Sequence, residues 1–259
     1  MIDFDKIWVE KYRPKTLSDI ILDNRTLEII KEFKDEIPNL LFVGNPGTGK
    51  TTLAQIIVND ILKCNYLYIN ASDESGIDTI RHNITNFAQT KSFDGKVKVV
   101  ILDEADGLTT QAQSALRNTM ETYAKYCRFV LTANYKHKII PALQSRCQAL
   151  DIKPVVESAV KRCYNILKNE NITVPEEQKK KFIQLVKRHF PDLRKTINEL
   201  QKNIIDSELC IVSVTGDSEL LEAIYKKIAS KNSLEARRYL IENEDRFQGD
   251  YDTLLGNYL

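Results

Sequence analysis

The sequence predicts an α/β protein in which a parallel sheet is covered by helices on both faces, followed by a small helical region. Within the first 153 residues, short β-rich runs alternate with helix-like stretches, which is the order of β-α-β units. The runs are continuously apolar rather than alternating, as expected of strands buried on both faces. The chain has 259 residues, 42% of them hydrophobic and 28% charged, which is enough for one large domain or two smaller ones.

The predicted strands and helices of the first part alternate regularly. The strand-like runs cover residues 40–43, 66–69, 97–102, 129–131 and 149–152. Helical periodicity occupies the intervals at about 50–63, 76–90 and 110–124. Parallel strands end at the same edge of a sheet, and ligands of open α/β sheets bind at that edge. We therefore expect functional residues directly after the strands.

The β-rich runs stop after Pro154, and the following residues have helical spacing. Helices are predicted over 155–170, 177–189 and 192–204, and Pro154, Pro175 and Pro191 lie at or just before their starts. The remainder, 217–259, has the pattern of two or three more helices but is too short for a stable core of its own. We therefore expect an α/β domain at 1–153, a helical domain at 154–215 and part of a further helical region at 216–259.

Composition excludes several classes of protein. The 37 Lys and Arg against 36 Asp and Glu give a formal charge of +1, which excludes a wholly basic nucleic-acid-binding protein but leaves room for a local basic patch. No run of 18 apolar residues predicts a membrane span, and the first residues do not have the pattern of a signal peptide. The five cysteines are widely spaced, without a C-x-x-C pair, so we expect a reducing compartment (the cytoplasm, or the nucleus of a eukaryote).

The strongest motif follows the first strand, where Gly44-Asn45-Pro46-Gly47-Thr48-Gly49-Lys50-Thr51 matches the phosphate loop G-x-x-x-x-G-K-[ST]. Glycines allow a tight turn whose N–H groups point at phosphate oxygens, and the helix that begins near Lys50 adds its positive end. Lys50 is predicted to reach the β- and γ-phosphates, and Thr51 to bind Mg²⁺. The nucleotide-binding residues predicted here are Asn45, Pro46, Gly47, Thr48, Gly49, Lys50, Thr51 and Thr52.

Two further strands end in polar residues suited to hydrolysis. The run 99–102 is followed by Asp103 and Glu104. Asp103 is predicted to hold Mg²⁺ directly or through water, and Glu104 to orient or deprotonate the attacking water, a role that a kinase does not need. The next strand ends at Asn134, which we expect near the γ-phosphate or the water. For Asp103 and Glu104 the alternative is a strand that simply ends in solvated acids, and for Asn134 it is an ordinary loop residue.

These motifs, in this order, resemble the AAA+ ATPases and, among them, clamp-loader subunits of the replication factor C small-subunit type. The resemblance covers roughly residues 6–205. Within it, Ser92-Phe93-Asp94-Gly95 and the run from Phe190 to Ile197 look closest to the tailed-bacteriophage branch, which implies viral DNA replication. It implies a RecA-like AAA+ domain, a helical lid domain and a partial helical collar. The matching segments are Trp8-Val9-Glu10-Lys11-Tyr12-Arg13-Pro14, Asn70-Ala71-Ser72-Asp73-Glu74-Ser75-Gly76-Ile77-Asp78, Asp103-Glu104-Ala105-Asp106, Ser145-Arg146-Cys147 and Phe190-Pro191-Asp192-Leu193-Arg194-Lys195-Thr196-Ile197-Asn198.

The resemblance also implies roles for individual residues. Tyr12, Arg13 and Pro14 would line the adenine pocket. Arg194 on the lid would contact the γ-phosphate of its own subunit; the alternative is a salt bridge on the helix face. Arg146 would be an arginine finger that points into the ATP site of the adjacent subunit; the alternative is a surface arginine.

The resemblance predicts DNA and clamp contacts as well. Arg81, Gln113 and Arg117 would face the template strand or the central channel, unless they form ordinary solvated helix faces. Phe87 and Phe93 are candidates for gripping the sliding clamp, unless they are core residues.

The function implied by the resemblance is that of an ATP-dependent clamp loader. ATP and Mg²⁺ would assemble the chain with other loader subunits, in a ring or spiral that is expected to be a pentamer, and open a sliding clamp around primer–template DNA. Two alternatives are a branch-migration helicase, which needs a winged-helix domain after the lid, and a subunit that binds ATP without hydrolysing it. Two features depart from the family. The segment Ile20-Ile21-Leu22-Asp23 lacks a glycine, and the chain stops partway through the collar, so it is either truncated or assembled through other contacts.

Overall fold

The computed structural model describes residues 6–33, 37–73, 78, 80–90, 97–211, 226–227 and 233–242. The chain divides into two compact units. One unit comprises Met1–Glu170 with Val186–Lys202, and the other Asn171–Leu185 with Asn203–Leu259. The predicted boundaries at 153 and 215 remain a prediction, although two helices assigned to the helical domain belong to the first unit.

The first unit is built on the predicted parallel sheet. Its strands are β1 (Leu40–Val43), β2 (Tyr66–Asn70), β3 (Lys98–Asp103), β4 (Cys127–Ala133) and β5 (Gln148–Asp151), and their order in the sheet is β2-β3-β4-β1-β5. All four neighbouring pairs are parallel. The carboxyl ends of β1, β3 and β4 therefore lie side by side at the centre of one edge.

Both faces of the sheet are covered, as its apolar strands predicted. Along β3, Val99 and Ile101 pack into one apolar cluster, whereas Val100 and Leu102 pack into another. Successive side chains of a strand point to opposite faces, so the two clusters are the cores above and below the sheet. All four side chains have no exposed surface.

The helices of the first unit follow the predicted intervals with shorter bounds. The predicted helix 50–63 is an α-helix that passes into a π-helical turn at Ile57–Ile61, and the described part of the interval 76–90 begins with a π-helical turn at Ile80–Ile84. The α-helices are α1 (Trp8–Lys11), α2 (Asn24–Lys31), α3 (Lys50–Ile56), α4 (Thr85–Gln89), α5 (Thr110–Thr122), α6 (Pro141–Gln144), α7 (Val156–Asn169) and α9 (Leu193–Lys202). Between α7 and α9, α8 (Glu176–His189) runs from the second unit into the first.

The second unit contains a feature that the sequence analysis missed. Residues 204–209 form an antiparallel hairpin of β6 (Ile204–Ile205) and β7 (Glu208–Leu209), so the expectation that no strand follows Pro154 is wrong. Asp206 and Ser207 adopt positive φ angles of 48° and 62°, which a two-residue hairpin turn requires. The other described element here is α10 (Ser233–Glu242). Among the described residues, no helix is long and apolar enough to cross a bilayer.

Candidate nucleotide site

The phosphate loop joins β1 to α3 and depends on its glycines for its shape. Gly47 and Gly49 have φ angles of 73° and 94°, a region that L side chains rarely adopt. A Cβ on Gly44 would come within 2.7 Å of the Ile152 carbonyl oxygen, because β5 ends beside the loop. At Gly47 an added Cβ would overlap the carboxylate of Asp192, and the backbone N–H of Leu193 donates to the Gly47 carbonyl over 3.1 Å. The start of α9 therefore packs directly against the loop.

Lys50 is buried at the centre of the loop, with 7% of its surface exposed. Its Nζ donates to the carbonyl oxygens of Gly44 and Asn45, both over 2.9 Å, and to Asn134 Oδ1 over 2.8 Å. Burial lowers the pKa of Lys50, while the nearby carboxylates, Asp103 first, act in the opposite direction. The ammonium is thus held where the phosphate loop and the end of β4 meet.

Asp103 at the end of β3 is fixed by hydroxyl groups from three different elements. Thr51 Oγ1 donates to both carboxylate oxygens over 2.7 and 2.9 Å. Thr132 on β4 donates over 2.6 Å, and the phenol of Tyr68 on β2 over 2.8 Å. Burial, together with this hydrogen bond, raises the pKa of Tyr68, so the phenol remains a donor at neutral pH. Thr51 and Asp103, both predicted as Mg²⁺ ligands, are therefore in direct contact.

Glu104 follows with a left-handed backbone, at a φ of 53°. This conformation costs a non-glycine residue about 1–2 kcal/mol, and such strain clusters at functional sites. The N–H of Glu104 donates to Thr132 Oγ1 over 2.9 Å, and its carboxylate accepts from Ser72 Oγ over 2.6 Å. The acid is therefore held at both its backbone and its side chain.

The other end of the pocket is formed by the segment before α2. The phenol of Tyr12 donates to Glu170 Oε1 over 2.5 Å, and Arg162 donates to the Tyr12 carbonyl over 3.0 Å. Burial and the Glu170 hydrogen bond raise the pKa of Tyr12 to about 12. The backbone of Trp8 donates to Gln201 Oε1 over 3.1 Å. This segment is therefore attached to α7 and to α9.

A single pocket connects these two ends. The apolar side chains of Val9, Ile20 and Ile21 line it beside polar residues from the loop, the sheet edge and α9. Oxygen ligands such as Thr51 and Asp103 suit Mg²⁺, and the buried Lys50 with the glycine loop suits phosphates, so the residues fit a magnesium nucleotide. Of the predicted site, the pocket is lined by Tyr12, Arg13, Pro14, Pro46, Gly47, Thr48, Gly49, Lys50, Thr51, Thr52, Asp103, Glu104, Asn134 and Arg194.

Comparison with known proteins identifies the family. The AAA family, described as ATPases associated with various cellular activities, matches residues 40–154, and a family described as the AAA+ ATPase lid domain of a sliding-clamp-loader large subunit matches residues 151–209. The replication factor C small subunit of Archaeoglobus fulgidus is 38% identical over 260 residues, covering 95% of this chain and 79% of that protein. The chain belongs to the replication factor C small-subunit family of AAA+ ATPases.

Other relatives agree with this assignment. The small subunit of Methanococcus maripaludis is 41% identical over 234 residues, covering 87% of this chain and 70% of its own. Replication factor C subunit 3 of Saccharomyces cerevisiae is 42% identical over 202 residues, covering 75% of this chain and 58% of that protein. A single-substitution variant of RuvB from Thermotoga maritima has a TM-score of 0.57 at 19% identity, covering 89% of this chain and 91% of that one, which shows a shared fold. The bacteriophage branch and viral replication stay predictions.

Arg146, the predicted arginine finger of this clamp-loader family member, is not among the residues that line the pocket. It follows α6, where one guanidinium nitrogen donates to the Ala142 carbonyl over 2.9 Å and another pairs with Glu121 on α5. About a third of its side chain, 34%, is exposed. The geometry leaves it at the surface, with its role toward a neighbouring subunit still a prediction.

The prediction that Gln113 faces DNA is wrong. Only 2% of its surface is exposed, and its amide is fully engaged inside the protein. It donates to the Leu108 and Lys138 carbonyls over 3.2 and 3.0 Å and accepts from the Ile140 N–H over 2.8 Å. The helical spacing was right, but Gln113 lies on the inner face of α5, so it has no surface to offer a DNA strand.

The remaining predicted contacts are placed as follows. Arg117 on α5 is half-buried and donates to the side chain of the adjacent Asn118 over 3.2 and 2.8 Å. Arg81 belongs to the π-helical turn before α4. Phe87 packs against the sheet core, with the Lys98 ammonium 4.5 Å from its ring centroid, which favours the core alternative. Phe93 lies outside the described residues.

Several functional candidates were missed by sequence reasoning. Thr132 and Tyr68 hold Asp103, Ser72 holds Glu104, and Arg162 lines the pocket. Thr132 lies two residues before Asn134. Side chains two residues apart on a strand point to the same side, so the position of Asn134 could have revealed Thr132. Tyr68 required knowledge that β2 pairs with β3, because only this pairing brings the phenol next to Asp103.

Proposed function

We propose that the chain is a subunit of an ATP-driven sliding-clamp loader, which opens a clamp and places it on primer–template DNA. The observation that carries the proposal is the division of charged groups between two places. Lys50, Asp103, Glu104 and Arg194 line one pocket, whereas Arg146 lies outside it at the surface. Such a division suits hydrolysis that is completed by a neighbouring subunit. Membership of the replication factor C small-subunit family supports the clamp and DNA as partners.

Within the pocket, each residue has a distinct chemical task. Lys50 and the N–H groups of the phosphate loop would bind the phosphates, and Thr51 and Asp103 would hold Mg²⁺. When bound, Mg²⁺ neutralises charge on the phosphates and helps to orient them. Glu104 would accept a proton from the attacking water, with Ser72 keeping the carboxylate in place. Asn134, which accepts from Lys50, would orient the γ-phosphate or the water.

Arg194 and Arg146 would link hydrolysis to the assembly of subunits. Arg194 would contact the γ-phosphate within the subunit, so the position of α9 would depend on the nucleotide bound. Arg146 would neutralise transition-state charge in the neighbouring pocket, an effect worth about 10³–10⁵-fold in rate for arginine fingers. Hydrolysis would then depend on correct arrangement of the subunits in a ring or spiral, which we expect to be a pentamer.

Steady-state ATP hydrolysis tests this function. The full chain, assembled with its loader subunits, is assayed with Mg²⁺ in the presence and absence of the sliding clamp and primed DNA. We expect clamp and DNA together to increase turnover. Glu104→Gln should retain binding of a fluorescent ATP analogue while turnover falls by about 10²–10⁴-fold.

The matched control is Glu28→Gln, which removes a carboxylate from the exposed face of α2, away from the pocket, and should leave turnover unchanged. Turnover that ignores clamp and DNA would contradict the loader function. Turnover retained in Glu104→Gln would remove the role of Glu104. Nucleotide binding without hydrolysis in the wild-type assembly would indicate a structural subunit.

A further inference from the structure

The loop that follows β4 presents an exposed cluster of basic and aromatic side chains, Tyr135-Lys136-His137-Lys138. All four residues are exposed, and Tyr135 has 52% of its surface accessible. The Lys138 ammonium lies 4.7 Å from the centroid of the Tyr135 ring, and the His137 ring lies 5.7 Å from it. We call these four residues the basic loop.

The backbone of the basic loop, of Asn134 before it and of the two residues after it is held from inside by three side chains. Asp106 follows β3, Gln113 belongs to α5, and Gln144 belongs to α6. Together they make six hydrogen bonds to the backbone. These run from the N–H groups of Asn134 and Tyr135 to Asp106 (3.3 and 3.2 Å), between Gln113 and Lys138 O (3.0 Å) and Ile140 N (2.8 Å), and from Gln144 to Lys136 O (3.0 Å) and Ile139 O (2.7 Å).

This arrangement fixes the loop without neutralising it. The Asp106 carboxylate accepts from backbone N–H groups rather than from the lysines. Among the described residues, no carboxylate forms a salt bridge with Lys136 or Lys138. Two ammonium groups and a tyrosine ring are thus displayed by a rigid backbone, in a chain whose overall formal charge is only +1.

We propose that the basic loop is a nucleic-acid contact, in which Lys136 and Lys138 bind backbone phosphates and Tyr135 stacks on an unpaired base of the template strand. Positive grooves combined with aromatic platforms are the common means of binding single strands. A protein partner fits less well, because lysine is depleted at the core of protein–protein interfaces. The inference rests on the proposed loader function and adds a site to it.

The loop is also next to the phosphate site along the chain. Tyr135 follows Asn134, whose side chain accepts from Lys50 over 2.8 Å and whose backbone shares Asp106 with Tyr135. A strand bound at the basic loop would therefore act on the residue that touches the phosphate-binding lysine. This connection is a direct route by which DNA would alter hydrolysis.

Binding of a fluorescein-labelled primer–template to the assembled loader, measured by anisotropy over a series of salt concentrations, tests the proposal. Lys136→Gln/Lys138→Gln should weaken binding and reduce the slope of log K against log salt by about 1.4, since each phosphate contact on a single strand contributes about 0.7. Tyr135→Ala should weaken binding about tenfold, and Tyr135→Phe should retain it because the ring does the stacking. Hydrolysis without DNA should remain unchanged in all three.

The matched control is Lys31→Gln/Lys125→Gln, which removes the same charge from two other exposed positions and should keep the wild-type slope. An unchanged slope in the basic-loop variant overturns the proposal while leaving the loader function intact. A smaller assembled mass in that variant would identify the loop as a subunit contact and overturn it too. Failure of the wild-type assembly to bind primed DNA would instead remove the loader function itself.

Discussion

The carboxyl edge of the sheet and the surface around Arg146 hold their charges in opposite ways. Asp103 is 8% exposed, and its oxygens are filled by hydroxyls from β2, α3 and β4. Arg146 is about a third exposed and is held by one carbonyl and by Glu121, both within 25 residues of it. The first region is complete within one chain. The second presents a guanidinium at the surface, outside the pocket of its own chain.

This difference has a physical consequence for mutation. Electrostatic interactions are stronger in a buried, low-dielectric site than at a surface, where water and salt screen them. Changes at the carboxyl edge should therefore affect local structure, ligand binding and chemistry together. Changes around Arg146 should affect chemistry alone, and only when subunits are assembled.

The largest expected effect is that of Arg146→Ala. If Arg146 acts on a neighbouring subunit, turnover of the assembled ATPase should fall by about 10³–10⁵-fold, because the transition-state charge loses its guanidinium. Stability and binding of a fluorescent ATP analogue to the isolated chain should barely change, since the side chain lies outside the pocket. Parallel measurements of turnover, nucleotide affinity and denaturant unfolding check this.

Arg25→Ala is the control for Arg146→Ala, because Arg25 is an exposed arginine near the start of α2. It should leave all three quantities unchanged. A large loss of stability in Arg146→Ala, or unaltered turnover of the assembly, would mean that Arg146 has a structural role within its own chain and does not act on a neighbouring subunit.

Gln113→Leu should show the opposite pattern. Its sequence position suggested a surface, but replacing the amide would leave the Leu108 carbonyl, the Lys138 carbonyl and the Ile140 N–H without their partner. Unsatisfied buried groups cost about 1–3 kcal/mol each, partly relieved by water, so we expect a loss of about 2 kcal/mol in the free energy of unfolding. Circular dichroism in urea measures it. Gln111→Leu, at an exposed position on the same helix, should cost less than about 0.5 kcal/mol.

Most functional residues at the carboxyl edge of the sheet could be predicted because they belong to short sequence motifs. The phosphate loop fixes the spacing of Gly47, Gly49 and Lys50 along the chain, and Asp103 directly ends a buried strand. Local sequence therefore determines where these groups stand relative to each other. The same holds for the sheet, whose strands were predicted within a few residues because buried apolar runs have no other stable position.

The parts that failed depend on contacts between distant segments. Whether Gln113 points in or out is decided by the 138–140 backbone, 25 residues away, and helical spacing alone cannot reveal this. Tyr68 reaches Asp103 only because β2 lies beside β3 in the sheet. The β6–β7 hairpin was missed because four residues in two short strands leave too little alternation to detect.

Tyr68→Phe tests the hydrogen bonds to Asp103 with the smallest change. It removes one hydroxyl from Asp103 and leaves the ring and the other two hydroxyl donors in place. A single hydrogen bond contributes about 1 kcal/mol, so we expect the Mg²⁺ concentration for half-maximal binding of a fluorescent nucleotide to rise about fivefold. Tyr66→Phe, two residues away on the same strand, is the matched control and should leave it unchanged. Tighter Mg²⁺ binding in Tyr68→Phe would mean that the phenol competes with the ion rather than orienting Asp103.

Glu121→Gln should have the smallest effect, and it tests whether Arg146 depends on Glu121 of its own chain for its orientation. The pair is partly exposed, with 34% and 50% of the two side chains accessible, and ion pairs at the surface contribute about 0–1 kcal/mol. The glutamine keeps an oxygen that can accept a hydrogen bond from the guanidinium. Turnover of the assembly should therefore fall less than about fivefold, and the free energy of unfolding should change by less than about 0.5 kcal/mol. A loss approaching that of Arg146→Ala, without a loss of stability, would show that Glu121 orients Arg146 before the neighbouring subunit arrives. In that case the surface region would be pre-organised by its own chain, as the carboxyl edge is, and the two regions would differ in exposure alone.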